Sequence, residues 1–188
     1  VSPYLGPEYS DKEIRSVLEN YIDKVNVFRL QEGKLIETVG DLLNKQNIVA
    51  WFQGKMEFGA RALGNRSILA SPIKAEMREK LNYVIKKREG FRPFAPSVIE
   101  EKASKYFHIK EPVPYMNQVV KAKTKNLPAA THIDGTCRVQ TVNKLQNEKY
   151  YKLLVEVGRK SKFPVLLNTS FNLKDETITM TPEQAINR

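Results

Sequence analysis

The segment at residues 51–72, WFQGKMEFGARALGNRSILASP, constrains the fold more than any other part of the chain. Three glycines and three cationic side chains lie between two apolar runs, at 48–52 and 68–70. Short apolar runs beside glycine-rich segments are typical of strands, so the pattern predicts strand, loop, strand. Glycines expose backbone N–H groups and arginines offer paired planar donors, which suits the loop to hold a phosphate or a carboxylate. A solvated basic hairpin is the alternative that composition leaves open.

Length and charge limit the possible classes of protein. The chain has 188 residues, 31 of them basic and 21 acidic, for a formal net charge of +10. This length suits one domain, which we predict over residues 1–188. No apolar run reaches the ~20 residues that a membrane span needs, and a single cysteine, Cys137, is typical of the cytoplasm. The charge indicates an anionic partner without separating nucleotide, nucleic acid and membrane surface.

Helical and extended patterns alternate along the chain. Capping-box sequences predict helices after Ser10 and after Thr181, and the second helix is expected to continue in a longer polypeptide of which this chain is a fragment. Other predicted helices cover 73–87 and 148–160, and predicted extended segments cover 27–30, 34–36, 96–99, 115–121 and 164–167. Together these elements predict an α/β fold with a mixed twisted sheet and flanking helices. Charged motifs follow the strands, where ligands of open α/β sheets usually bind.

Four motifs together resemble the C-terminal domain of the NodU/CmcH-type O-carbamoyltransferases. They occur in the order of that family: GKMEFGARALGNRSILASP from Gly54, REGFRPFAPS from Arg88, THIDGTCRVQ from Thr131 and LNTSFN from Leu167. The sequences YLGPE near the start and TPE near the end also match. The resemblance therefore covers essentially the whole chain, and four long motifs in a fixed order are more specific than one glycine-rich loop.

This resemblance implies a YrdC-like fold and one half of a two-part reaction. In the full enzymes, this domain converts carbamoyl phosphate and ATP, which arrives with Mg²⁺, into carbamoyl-adenylate. A preceding N-terminal kinase-like domain, which holds a metal ion, passes the carbamoyl group to a hydroxyl of the acceptor. We expect the present chain to be the activation half, to partner that domain, and to be inactive alone in the complete transfer.

The expected chemistry selects the candidate site residues. Because charge builds on the α-phosphate during adenylation, fixed cations are needed more than a nucleophile. The family motifs supply Arg61, Arg66 and Arg92 as catalytic candidates. Further cations and neutral hydrogen-bonding groups are expected to bind the substrates: Lys55, Ser67, His132, Asp134, Arg138, Asn168 and Ser170.

Two segments carry expectations about geometry. Asn168 and Ser170, at the end of a buried strand, are expected to enter the same pocket as Arg61 and Arg66. Arg92 is expected to be held rigidly because Pro93 and Pro96 limit the freedom of the backbone and because Phe91 and Phe94 anchor the segment in the core. A surface ion pair between Arg92 and an acidic neighbour is the alternative.

His132 and Asp134 are two residues apart and would point to the same face of a strand, like half of a metal site. Two ligands do not complete a site, and His108 belongs to an unrelated segment. We therefore expect no metal site built by this chain alone. A hydrogen bond from His132 to a phosphate or to the carbamoyl group is the favoured interpretation.

A few positions depart from the usual pattern of the family. Ala60 and Gly90 stand where proline is common, and Lys55 stands where arginine is common. Residues 174–178 replace a more usual Gly-Glu-Pro-Ile turn. These departures affect the rigidity of loops more than the proposed chemistry.

Two other function classes fit parts of the sequence. The net positive charge fits a nucleic-acid-binding module, although the motifs lack the aromatic platforms of single-strand binders, so we do not expect nucleic acid as the partner. A non-catalytic lid that only clamps the kinase-like domain is the second alternative. Salt-dependent duplex binding would favour the first class, and absence of ATP affinity would favour the second.

Overall fold

The computed structural model of the chain describes residues 2–188. Its centre is a five-stranded mixed sheet. The strands lie in the order β1 (Val49–Phe52), β2 (Arg66–Ala70), β7 (Val165–Ser170), β3 (Ala95–Ile99) and β6 (Gln140–Val142). Neighbours are antiparallel except β3 and β6, which are parallel. A two-stranded ribbon pairs β4 (Val120–Lys121) with β5 (Thr136–Cys137).

Six α-helices surround these strands in the described part of the chain. They are α1 (Asp11–Glu19), α2 (Glu32–Asn44), α3 (Glu76–Lys80), α4 (Ala103–Tyr106), α5 (Glu148–Ser161) and α6 (Pro182–Ile186). A π-helical turn, Leu81–Ile85, continues α3, and a 3₁₀ turn, Glu100–Lys102, leads into α4. Within residues 2–188, every helix is too short or too polar to cross a membrane.

The predicted capping boxes are both present. The Ser10 hydroxyl accepts a hydrogen bond from the Glu13 N–H at 3.3 Å, and the Glu13 carboxylate accepts one from the Ser10 N–H at 2.8 Å. Thr181 and Gln184 form the same reciprocal pair at the start of α6. These local signals fix the first turn of a helix whatever its later packing, which is why the sequence located both starts.

The central strands are buried on both faces. On one side, α2 and α5 pack together over a layer that includes Leu43, Tyr150 and Leu154. Adjacent residues of β7 point to opposite sides, so Leu166 joins this layer and Leu167 joins the other hydrophobic cluster. The predicted buried strand at 164–167 is confirmed, and the strand continues to Ser170.

The extended segments predicted at 27–30 and 34–36 are wrong. Residues from Glu32 to Asn44 form one helix, and Gly33 lies in its first turn. Ile36, Val39 and Leu43 recur at helical spacing and are buried against α5 and the sheet. Burial of this stripe outweighs the local Glu-Gly turn signal, because tertiary packing overrides weak propensities. The strand predicted at 115–121 is also shorter, since only Val120–Lys121 pairs.

A buried carboxylate organises the loop between β1 and β2, residues 53–65, which we call the signature loop. Glu57 is only 2% exposed. Its Oε1 atom accepts hydrogen bonds from the N–H groups of Leu63 at 2.5 Å, Asn65 at 3.1 Å and Arg66 at 3.3 Å. One carboxylate oxygen thus holds three N–H groups at the end of the loop together. Such bonds are strong because the acceptor is charged.

Arg66 is fully buried behind this loop. Its guanidinium lies 3.7 Å from the centroid of the Phe52 ring. The guanidinium donates to backbone carbonyl oxygens of Gln53 at 2.7 Å, Gly54 at 3.1 Å, Asn65 at 3.0 Å and Pro7 at 3.1 Å. We expected Arg66 to be catalytic. Its guanidinium instead donates to four backbone carbonyl groups, so Arg66 stabilises the loop.

We predict that Arg66→Met lowers the free energy of unfolding by about 3 kcal/mol, because it leaves buried carbonyl groups without donors. Arg61→Met, five residues earlier and in the signature loop, is the matched control, since Arg61 is exposed. That control is expected to change stability by less than about 0.5 kcal/mol. Urea denaturation of both variants measures the difference, and equal losses would contradict a structural role special to Arg66.

Candidate functional site

A cavity of about 340 Å³ opens where the signature loop meets the ends of β7 and β3. Segments far apart in sequence form its walls, and they bring together four arginines: Arg61, Arg88, Arg92 and Arg138. Phe94, Met116 and Val119 supply apolar surface between them. A concave site with apolar walls and a few convergent polar groups is typical of small-ligand binding. We call this the first cavity.

A second cavity of about 690 Å³ adjoins the first. The two share Arg88, Arg92, Thr169 and Ser170, so these residues form the junction between them. The second cavity adds three lysines and several polar or aromatic groups: Lys86, Lys87, Lys174, Asn172, Glu89, Asp175 and Tyr83. The joined cavities form one elongated cationic site.

Most of this positive charge is not neutralised by the protein. Within residues 2–188, the only ion pair made by a cation of the two cavities joins Arg92 to Glu89, with Nε and Oε2 3.0 Å apart. Burial, and then the nearby charge of Arg92, lowers the pKa of Arg88. Burial followed by the charges of Arg61 and Arg88 lowers the pKa of Arg138. An anion in the cavities would relieve this mutual repulsion.

The π-helical turn after α3 delivers Lys86 to the second cavity. The Lys86 N–H bonds the Leu81 carbonyl, five residues back, at 2.9 Å. Its side chain is 6% exposed, and Nζ donates to the Ser170 carbonyl at 2.5 Å and to the Asn172 carbonyl and Oδ1 at 3.0 and 2.7 Å. Burial lowers the pKa of Lys86 to about 8. π-turns of this kind frequently lie at functional sites.

Asn82, which is fully buried within the same π-turn, positions the loop that carries Arg88 and Arg92. Its Nδ2 donates to the carbonyl oxygens of Gly90 at 3.1 Å and Arg92 at 2.8 Å. Its Oδ1 accepts from Arg88 Nε at 2.7 Å. The Arg88 guanidinium also lies 4.9 Å from the centroid of the Phe94 ring. These contacts fix the guanidinium of Arg88, a residue that lines both cavities.

Lys86, Arg88 and Asn82 are not among the site residues that the sequence predicts. Arg88 opens one of the family motifs, so the motif itself was a signal for it. Lys86 and Asn82 carried no such signal. Periodicity predicts an ordinary helix that includes both residues. The π-turn changes the direction in which their side chains point.

A buried polar network ties the floor of the first cavity to the sheet. Asn168 Nδ2 donates to Gln140 Oε1 at 2.9 Å, to Ser97 Oγ at 3.2 Å and to the Ala62 carbonyl at 3.2 Å. Gln140 Nε2 in turn donates to the Leu63 carbonyl at 2.9 Å. The Asn168 Oδ1 atom is buried without a partner among residues 2–188. A buried acceptor without a partner costs free energy in the folded state, which the hydrogen bonds made by Asn168 Nδ2 offset.

The structure brings most of the predicted site residues to one place. Those that line the first cavity are Arg61, Arg92, His132, Arg138, Asn168 and Ser170. Asn168 and Ser170 thus share a cavity with Arg61, as expected, although more than ~100 residues of sequence separate them from Arg61. Arg66 does not lie there.

Lys55 and Ser67 also lie outside the two cavities. Lys55 is exposed on the signature loop, where its side chain faces solvent. Ser67 is fully buried in β2, and its hydroxyl accepts a hydrogen bond from the Gly64 N–H at 3.1 Å. Neither residue is positioned to bind a ligand in the cavities.

His132 and Asp134 belong to a turn and not to a strand. His132 lines the first cavity, with Nδ1 3.3 Å from the Thr136 hydroxyl. Asp134 is exposed, and its Oδ1 accepts from the Thr136 N–H and hydroxyl at 2.9 and 2.7 Å. These hydrogen bonds lower the pKa of Asp134. Over residues 2–188, no three His, Cys, Asp or Glu side chains cluster as a metal site would require.

Arg92 is presented differently from the expectation. Phe94 is 3% exposed and anchors the segment, but Phe91 is 72% exposed. The Glu89 ion pair and the Asn82 hydrogen bond to the Arg92 carbonyl hold the residue instead. Arg92 lines both cavities and also pairs with Glu89. The two alternatives, a side chain at the pocket and a surface ion pair, therefore occur together.

The fold resembles a solved structure. The crystal structure of full-length HypF in the phosphate- and nucleotide-bound form matches with a TM-score of 0.59 at 20% identity. The match covers 87% of this chain and 20% of that chain. At this identity the likeness concerns the fold alone, and it confirms the mixed α/β architecture.

Several curated proteins are similar in sequence. An uncharacterized protein of Synechocystis is 38% identical over 97% of this chain and 33% of its own length. Nodulation protein NolO of Bradyrhizobium diazoefficiens is 39% identical over 97% of this chain and 34% of its own length. The 3'-hydroxymethylcephem-O-carbamoyltransferase of Amycolatopsis lactamdurans is 43% identical over 69% of this chain and 25% of its own. The chain thus spans about a third or less of these relatives.

A family model assigns most of the chain. The model described as Carbamoyltransferase C-terminus matches residues 40–188, which include the signature loop, both cavities and all four sequence motifs. The chain therefore belongs to the carbamoyltransferase C-terminal family.

Proposed function

We propose that this domain binds carbamoyl phosphate and ATP with Mg²⁺ and forms carbamoyl-adenylate, the activation half of O-carbamoyl transfer. One observation carries the proposal: cations converge on two joined cavities, and only Arg92 among them pairs with a carboxylate within residues 2–188. Transfer to the acceptor hydroxyl is assigned to a region outside this chain, because the relatives are about three times as long.

The sizes and linings of the cavities indicate how the substrates would be arranged. The first cavity is the smaller, and its cationic and polar lining suits carbamoyl phosphate. The second cavity is larger and suits the nucleotide. Arg88 and Arg92 lie at the junction, where the reacting phosphates would meet. Fixed cations there would stabilise charge that develops on the α-phosphate.

Atom balance defines the products of this reaction. Water cleaves carbamoyl phosphate to carbamate and inorganic phosphate. A carbamate oxygen then attacks the α-phosphorus of ATP, the bond to the β-phosphate oxygen breaks, and pyrophosphate leaves. The chain's own part is to hold both anions and to stabilise the charge, so no protein nucleophile is needed.

The first test is direct binding. We expect isothermal titration calorimetry to detect ATP–Mg²⁺ binding to this chain, and Arg88→Met to weaken it by roughly 10- to 100-fold because a charge-assisted contact is lost. Arg159→Met is the matched control, since Arg159 pairs with Glu156 on the exposed face of α5. Absence of heat and of a thermal shift at millimolar ATP would contradict the proposal. Salt-dependent binding of duplex DNA in its place would favour a nucleic-acid-binding module.

Lys86 gives the site a defined pH dependence. Its pKa is about 8, so the side chain is cationic below that pH and neutral above it. We therefore expect ATP affinity to fall as pH rises from 7 to 9.5, because a favourable charge is lost next to the anion. Lys86→Met is expected to bind more weakly at pH 7 and to show little change over the same range. An equal fall in both proteins would contradict the assignment to Lys86.

The same shift predicts the opposite trend for stability without ligand. In the unfolded chain the lysine keeps its ordinary pKa of 10.5, so the unfolded state binds more protons between pH 8 and 10.5. The contribution of Lys86 to the free energy of unfolding therefore rises with pH across that window. Chemical denaturation of the wild type and Lys86→Met at pH 7.5 and 9.5 measures this contribution, and no difference in slope would contradict it.

A further inference from the structure

An exposed aromatic ring lies on the wall of the second cavity. Tyr83 belongs to the π-helical turn and is 64% exposed. The same cavity is lined by Lys86, Arg88 and Lys174. An apolar ring beside a set of cations is matched by a ligand that is planar at one end and anionic at the other.

Gly90 packs directly against this ring. A Cβ atom at Gly90 would approach Tyr83 Oη to 2.8 Å, Cζ to 3.0 Å and Cε2 to 3.1 Å, which is too close for an ordinary contact. The Gly90 carbonyl is held by Asn82 Nδ2 at 3.1 Å, so the backbone that supports the ring is itself fixed. Any larger residue at position 90 would displace the phenol. The absence of a side chain at Gly90 is what lets the Tyr83 ring pack this close.

The backbone around the second cavity is also unusual. Lys87 has φ of 46° and Asp175 has φ of 61°, and both residues line this cavity. Left-handed backbone is uncommon outside glycine, and it persists where surrounding contacts impose it, often at binding sites. Two of the segments that line the cavity with Tyr83 therefore have backbone that surrounding contacts hold in a specific shape.

We propose that Tyr83, seated on Gly90, is the stacking platform for the base of a nucleoside polyphosphate bound in the second cavity. The identity of the nucleotide rests on the proposed function. The base contacts the ring at the outer wall, and the phosphates extend toward Lys86 and the junction arginines. Stacking on one ring makes use of any base, so this contact supplies affinity and leaves the choice of base to other groups.

A tryptophan probe tests the contact itself. Trp51 is 5% exposed and lines neither cavity, so it gives a constant background in wild type. In Tyr83→Trp, we expect ATP to quench the added fluorescence and inorganic tripolyphosphate to bind without quenching. Quenching by both anions, or by neither while ATP binds, would overturn the stacking contact.

Affinity tests the same contribution in the native background. Tyr83→Ala is expected to weaken ATP binding by roughly 5- to 100-fold, the range found when a base loses its aromatic platform, and to change tripolyphosphate binding less than about twofold. Gly90→Ala is expected to act in the same direction because it displaces the ring. Tyr151→Ala, on α5, is the matched control, and melting temperatures verify that each variant folds.

The outcomes separate this inference from the proposed function. Unchanged ATP affinity in Tyr83→Ala would overturn the platform and leave the anion site intact. An equal loss of ATP and tripolyphosphate binding would also overturn it, because the ring would then act on the phosphates. If the wild type binds neither anion, both the platform and the proposed function are rejected.

Discussion

The antiparallel pairing of β7 with both β2 and β3 is the constraint on which the site depends. In this register Ser170 lies opposite Ser67, and Asn168 lies opposite Ala95. The end of β7 therefore meets the signature loop on one side and the arginine-bearing segment before β3 on the other. Three segments that are far apart in sequence meet at the same end of the central strands because main-chain hydrogen bonds pair β7 with β2 and with β3. A shift of one residue in β7 would turn Asn168 away from the first cavity.

The chain uses two arginines five residues apart in opposite ways. Arg66 is buried, and its two terminal nitrogens donate to four backbone carbonyl groups, so these hydrogen bonds stabilise the signature loop. Arg61 is exposed at the first cavity and leaves its charge available. Asn82 and the π-turn then fix Arg88 and Lys86 close to other cations. This arrangement is unfavourable without an anion, and it is what a preorganised binding site for phosphates requires.

Much of this organisation was predictable from the sequence. Local signals located the capped helices and the buried strand of β7, and the motifs pointed to Arg61, Arg92 and Asn168. The positions that were not predicted depend on tertiary contacts. The Glu32–Asn44 helix forms because its apolar stripe packs on α5, and this packing cannot be deduced from a Glu-Gly pair. Likewise, the motif that contains Arg66 does not reveal that its guanidinium turns inward to carbonyl groups.

The site residues within the π-turn illustrate the same limit. Periodicity predicts a helix over 73–87, but the wider turn at Leu81–Ile85 rotates the following side chains relative to an ordinary helix. Lys86 therefore reaches Ser170 and Asn172, a contact across more than ~80 residues that no local pattern encodes. Phe91 shows the converse, because an aromatic residue beside Arg92 was expected in the core and is exposed.

The most direct measurement is a crystal structure of this chain with a non-hydrolysable ATP analogue and Mg²⁺. The unneutralised cations at the joined cavities predict that the phosphates lie at the junction, within hydrogen-bond distance of Arg88 and Arg92 and next to Lys86. Phosphates bound away from both cavities, for example beside Lys123 and Lys125 near the β4–β5 ribbon, would contradict the account.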